Sequence, residues 1–210
     1  MKNIIFLLGL LTACGCEPSE LDVKTGKVDT GDKTPTQAEP VGVIPADDCQ
    51  QIDIGDKACN FTLLDQNGDI WELYQHTGDV IVLDFSAVWC YPCQLAAPHA
   101  QKIQDDYADQ GVQMVTVLID GRTPGEEPTS FEVTAWANTH NLTSAPVLQG
   151  SREKMLDPQD GSIPVEELGI TGYLLNAYPT YLYIGRDMKF ISGHVGFSEE
   201  YIREKIEGAL

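Results

Sequence analysis

Hydrophobic and polar positions along the chain fall into three regimes. A short apolar run, Ile4 to Leu11, follows Lys2 and gives way to Thr12-Ala13-Cys14. From Glu17 to Asp48 there is no hydrophobic period, and Pro18, Pro35, Pro40 and Pro45 mix with Gly, Thr, Asp and Glu. Beyond Cys49 the pattern becomes legible. Phe61-Thr62-Leu63-Leu64 and Ile70-Trp71-Glu72-Leu73 flank Asn67-Gly68, which predicts a hairpin. Val80 to Phe85 is near-continuously apolar, as in a strand covered on both faces. A helix is expected from about Cys93 to Gln110, with Ile103 and Tyr107 on its buried side and Gly111 at its C-cap. Val112 to Ile119 reads as a second buried strand. Thr129 with Glu132 forms a capping-box pattern that opens a helix with Val133, Trp136 and Ala137 inward. Pro146-Val147-Leu148 is a short strand. Thr180 to Ile184 and Lys189 to Ile191 make a hairpin, and Ser198 caps a last helix carrying Ile202 and Ile206. This order predicts an α/β fold, helices packed on a central sheet.

The N-terminal regimes are read by their chemistry. One Lys, a short apolar run and then small residues match a secretory signal peptide, about half the length needed to span a bilayer. Leu11-Thr12-Ala13-Cys14 also resembles the lipobox of bacterial lipoproteins, in which the cysteine is lipidated. Cys16 fits that pattern less well. Residues 14–48 then read as a flexible acidic tether, because they cannot bury enough surface to offset chain entropy. They hold eight acids against three Lys. The expected organisation is residues 1–13 as signal peptide, 14–48 as tether and 49–210 as one domain. The location this implies is extracytoplasmic, in a bacterial periplasm or cell envelope, with a lipid anchor on Cys14. Such a compartment permits disulfides.

Composition narrows the partners. The 210 residues carry a net charge of -19, with 13 Lys plus Arg against 32 Asp plus Glu. Nucleic acid is excluded as a partner, since phosphate binding needs clustered cations. Six cysteines stand at 14, 16, 49, 59, 90 and 93. Of these, Cys90-Tyr91-Pro92-Cys93 lies where a buried strand hands over to a helix. The free N–H groups and dipole at a helix N-terminus stabilise a thiolate at the first cysteine. The second can reach back and close a disulfide, so the pair can exchange two electrons with another disulfide. Cys90, at an exposed turn, is expected to attack and Cys93, one turn inside, to resolve. Two readings compete: half a zinc site, for which no second C-x-x-C or H-x-x-x-H supplies further ligands, and a structural bridge, whose short loop would gain little stability. No metal or cofactor is expected.

The run Val82-Leu83-Asp84-Phe85-Ser86-Ala87-Val88-Trp89-Cys90-Tyr91-Pro92-Cys93 resembles the active-site strand and turn of the thioredoxin superfamily. Pro98, five residues on, and Tyr178-Pro179-Thr180 resemble that family's helix proline and cis-proline segment, in the same order. The hairpin and an insertion around 121–176 are similar to the TlpA/ResA branch of membrane-tethered thiol–disulfide oxidoreductases. The resemblance implies a thioredoxin fold, a central mixed sheet flanked by helices, with an N-terminal β-hairpin and a helical insertion. It makes Cys90 and Cys93 catalytic, Asp84 a buried acid that takes the Cys93 proton through a water, and Pro179 cis. Trp89, Tyr91, Pro92, Tyr178 and Pro179 become the client-binding surface, with the Tyr178 main chain free to pair with an extended client. Ser86 replaces an aromatic residue, which is expected to leave the surface beside the cysteines more open. The implied partners are protein disulfide or dithiol clients and an upstream thiol electron donor.

Weaker signals remain. Cys49 and Cys59 are expected to form a structural disulfide, worth roughly 2–3 kcal/mol, with a second redox pair as the alternative. A peroxiredoxin-like thiol peroxidase shares the fold, but neither Cys90 nor Cys93 sits in a P-x-x-x-[ST]-x-x-C setting. A non-catalytic copper carrier or adaptor would need His194 beside the two cysteines.

Overall fold

A computed structural model describes residues 54–152, 155 and 177–210. The segments read as signal peptide and tether, with Cys14, Cys16 and Cys49, lie outside the described residues. Within them, β1 (Thr62–Leu64) and β2 (Ile70–Glu72) pair antiparallel as a hairpin. Gly68 in its turn has φ +83°, a conformation that costs glycine little.

Five further strands build the main sheet: β3 (Val80–Ala87), β4 (Val112–Asp120), β5 (Val147–Gln149), β6 (Thr180–Ile184) and β7 (Phe190–Val195). Their order is β5-β4-β3-β6-β7. β3, β4 and β5 run parallel, whereas β6 and β7 are antiparallel, so the sheet is mixed. All eight residues of β3 are buried, which explains its unbroken apolar start. The strand runs two residues past Phe85, through Ser86 and Ala87, which pair with the end of β4.

The helices are α1 (Tyr91–Tyr107), α2 (Ser130–His140) and α3 (Glu199–Ala209). They pack on β4, β5 and β3 respectively. α1 begins two residues earlier than the apolar spacing indicates. Pro92 explains this, because its fixed φ and missing N–H suit a first helical turn. Ile103 and Tyr107 are buried, and a single 3-10 turn, Ala108–Gln110, leads to Gly111 at φ +71°. The capping box of α2 forms as its sequence predicts, with Thr129 and Glu132 each bonding the other's backbone. Ser198 Oγ accepts from the Tyr201 N–H at 3.3 Å, opening α3, and Ile202 and Ile206 are fully buried.

One buried polar side chain completes the sheet. β5 reaches only Thr116 to Leu118 of β4, so among the described residues the earlier part of that strand has no strand neighbour on one side. Gln104 of α1 fills the place: its Oε1 accepts from Met114 N–H at 2.7 Å, and its Nε2 donates to Val112 O at 3.2 Å. An open edge inside the core is thereby satisfied by a side chain instead of a strand.

Candidate active site

β3 ends in a tight turn that launches α1. Val88 N–H bonds Asp120 O at 3.0 Å and Cys90 N–H bonds Ala87 O at 3.0 Å, fixing the turn to the end of β4. Cys90 is the N-cap of α1, and the Cys93 N–H points at Cys90 Sγ at 3.2 Å. The two cysteines are joined in a disulfide with Cα atoms 5.3 Å apart. A backbone N–H aimed at Cys90 Sγ from a helix N-terminus favours negative charge there once the bond is reduced. The disulfide is therefore placed for reversible opening, with Cys90 as the sulfur whose thiolate is stabilised.

The strand register brings Tyr178-Pro179 to the same place. Phe85 pairs with Thr180, so the segment before β6 lies off the same end of the sheet as Trp89-Cys90. The Tyr178–Pro179 peptide bond is cis, and Pro179 O accepts from Gly196 N–H at 2.8 Å. The Trp89 and Tyr178 rings meet edge to face, centroids 5.8 Å apart. Trp89, Tyr91 and Pro92 are exposed, whereas Tyr178 and Pro179 are buried.

Two expectations change. Cys90 does not lie open at the turn: in the disulfide it is 2% exposed and Cys93 1%. The N-cap position turns its sulfur inward onto the helix, toward the Cys93 N–H. Ser86, in turn, does not open the surface, because it is fully buried and its hydroxyl donates to Asp84 Oδ1 at 2.9 Å.

Asp84 is buried on β3, between Thr116 of β4 and Tyr181 of β6. Burial pushes its carboxyl up to about 7, with the Ser86 and Thr116 hydroxyls pulling the other way. A carboxyl with that value can hold or release a proton near neutrality.

The chain matches known proteins over most of this domain. The AhpC/TSA family pattern covers residues 54–160. The chain belongs to the AhpC/TSA family. It is 25% identical over 163 residues to the thiol-disulfide oxidoreductase ResA of Bacillus thuringiensis (strain Al Hakam), covering 78% of this chain and 80% of that one. Among solved structures, a putative thiol:disulfide interchange protein DsbE from Chlorobium tepidum is 28% identical with a TM-score of 0.56. It aligns over 75% of this chain and 98% of its own. The exposed lipoprotein thioredoxin Etrx1 from Streptococcus pneumoniae strain TIGR4 shares the fold, at 24% identity and TM-score 0.54, over 71% and 98% of the two chains. With the Cys90–Cys93 pair at disulfide distance, this AhpC/TSA-family protein is a thiol–disulfide oxidoreductase of thioredoxin type.

Sequence reasoning missed two residues of the oxidoreductase site. Asp120, at the end of β4, has a fully buried side chain. Both of its oxygens are gripped by Arg152, from Nε at 2.8 Å and Nη2 at 2.7 Å, and Oδ2 also accepts from Trp89 Nε1 at 3.2 Å. Burial pushes the Asp120 carboxyl up, but Arg152, the Gly125 N–H and Trp89 together hold it below the usual carboxylate range. Asp120 ends an apolar strand beside the redox turn, and that position was the available signal. Arg152 lies in no motif, and only the folded chain brings it there.

The other candidates sit elsewhere. Cys59 is disulfide-bonded, and the three cysteines left as its possible partners, 14, 16 and 49, lie outside the described residues. His194 is stacked on Tyr181 and Tyr183 and meets the edge of Tyr201, with its Nδ1 3.3 Å from the Tyr183 hydroxyl. Among the described residues, no group of three or more His, Cys, Asp or Glu is placed to hold a metal, so His194 does not join the cysteines as a copper site requires. Also among the described residues, no helix is long and apolar enough to cross a membrane.

Proposed function

We propose that this oxidoreductase is a lipid-anchored, extracytoplasmic reductase of protein disulfides. The observation that carries the reading is the Cys93 N–H aimed at Cys90 Sγ from the start of α1. The donor first reduces Cys90–Cys93 to two thiols. The Cys90 thiolate then attacks one sulfur of a client disulfide, the client's S–S bond breaks, and the second client sulfur leaves as a thiolate. Cys93 next gives its proton to Asp84 through a water and attacks Cys90 Sγ. The client leaves as a dithiol and the Cys90–Cys93 bond is restored, two electrons having passed to the client. Trp89, Tyr91, Pro92 and the segment Tyr178-Pro179 form the surface on which the client's chain rests.

The anchor and the location rest on the N-terminal sequence: a short apolar run, Leu11-Thr12-Ala13-Cys14, and the acidic segment 14–48 that gives the domain its reach. Cys49 joined to Cys59 would fasten the start of the domain. In an insulin-reduction assay the protein turns over with a thiol donor and Cys90→Ser does not; full activity of Cys90→Ser would overturn the assignment. In a bacterial host the protein fractionates with membranes and Cys14→Ala is released from them. Equal membrane retention of both proteins would overturn the lipid anchor at Cys14.

A further inference from the structure

The residues that precede Cys90 and Pro179 form an aromatic clasp whose far end is an arginine. Trp89 directly precedes Cys90, Tyr178 directly precedes Pro179, and their rings touch at 5.8 Å across the end of the sheet. The outer side of Trp89 meets solvent, with 39% of the residue exposed, while Cys90 beside it is 2% exposed. The indole is tied down at one polar atom, Nε1, by Asp120 Oδ2 at 3.2 Å. Asp120 is itself immobilised by the two-pronged grip of Arg152. Such a fork holds a carboxylate in one plane as well as neutralising it. The buried Tyr178 hydroxyl makes no hydrogen bond among the described residues, and the Arg152 charge acts on it through space.

We propose that Arg152 is a positioning residue that latches the Trp89–Tyr178 pair over the Cys90–Cys93 disulfide and limits access of small thiols to it. The proposal rests on the assignment of Cys90–Cys93 as the reacting pair. Arg152 touches neither sulfur in this reading and acts through Asp120 and Trp89. The consequence is selectivity. A small dithiol must wait for the aromatic pair to part, whereas a polypeptide client can spread over the exposed indole, Tyr91 and Pro92 and displace it.

The test uses the full-length oxidised protein and dithiothreitol, which closes to its cyclic disulfide as Cys90–Cys93 opens to two thiols. The rate of opening is followed by quenched alkylation and mass spectrometry of the peptide carrying Cys90 and Cys93. Loss of roughly one hydrogen bond from the closed state makes Arg152→Ala open about fivefold faster than wild type. In a Trp89→Ala background the same Arg152→Ala change adds nothing, because the group it acts through is gone. Asp120→Ala gives a comparable acceleration and serves as the second route should Arg152→Ala fail to fold. An unchanged rate in a folded Arg152→Ala protein overturns the proposal. So does an equal acceleration with and without Trp89, the result expected of general loosening. The measurement reads the disulfide itself and involves no client, so failure of the reductase assignment in the insulin assay leaves a distinct signature.

Discussion

The two halves of β3 and β4 are both largely buried and chemically unlike. At their starts, Val80 to Leu83 and Val112, Met114 and Val115 are apolar and almost wholly inaccessible. At their ends, Asp84, Ser86, Thr116 and Asp120 put hydroxyls and carboxylates into the same interior. Burying a polar group without a partner costs stability, and Asp84, Ser86 and Asp120 are held by specific bonds where the first half needs only packing. Ser86 bonds Asp84, and Arg152 and Trp89 bond Asp120. The polar half is also where the parallel strands deliver the chain to the redox turn, the end of an open α/β sheet at which ligand sites form. One half of the sheet is built for stability, and the other gives some of it up for chemistry.

Substitutions that cross this divide have opposite signs. Asp84→Asn has the largest effect on stability. The folded carboxyl keeps its proton up to about pH 7 while the unfolded one releases it near 3.8, so the native state loses stability between those values as pH rises. Replacing the acid removes that loss, a gain above pH 7 of as much as about 4 kcal/mol. It also slows resolution of the mixed disulfide on the order of 10²-fold, since Cys93 loses its proton acceptor. Urea melts at pH 5 and 8, with stopped-flow turnover, check both. A variant destabilised at pH 8 would break the contrast.

Leu83→Ala, one residue back in the apolar half, costs about 3 kcal/mol. In the folded fraction, disulfide exchange proceeds at the native rate. Chemical denaturation alongside turnover per folded molecule separates the two readouts. A rate that falls as steeply as stability would join the halves into one unit.

Gln104→Ala sharpens the comparison from a third side, because Gln104 is a buried polar group in the structural half. Removing it leaves Met114 N–H and Val112 O without their side-chain partner, at a cost of about 2 kcal/mol. The Met114 amide should then exchange faster with solvent while the active-site amides keep their protection. Hydrogen exchange resolved by residue reads the difference.

The sequence exposes these halves unequally. The apolar starts of β3 and β4, the capping box at Thr129 and Glu132, and the stacked Ile202 and Ile206 are local patterns, so a reader of the sequence can find them. Cys90-Tyr91-Pro92-Cys93 is likewise local, and so was the redox chemistry it implied. Contacts made across long stretches of chain are another matter. Arg152 meets Asp120 only because β5 returns beside β4, and the chain between them carries no periodic mark of that meeting. Gln104 reads as an ordinary helix residue until the shortness of β5 leaves an edge for it to fill. The inward turn of Cys90 and the burial of Ser86 escape sequence reasoning for the same reason: both depend on neighbours that only the assembled sheet supplies.

Whether Cys90 is the sulfur that attacks can be read directly by trapping. Reduced Cys93→Ser protein is mixed with a disulfide-linked peptide, quenched with acid and digested for mass spectrometry. A stable mixed disulfide forms on Cys90 in near-stoichiometric yield and is lost in the Cys90→Ser/Cys93→Ser double variant. An adduct on Cys59, or none on Cys90, would contradict this assignment.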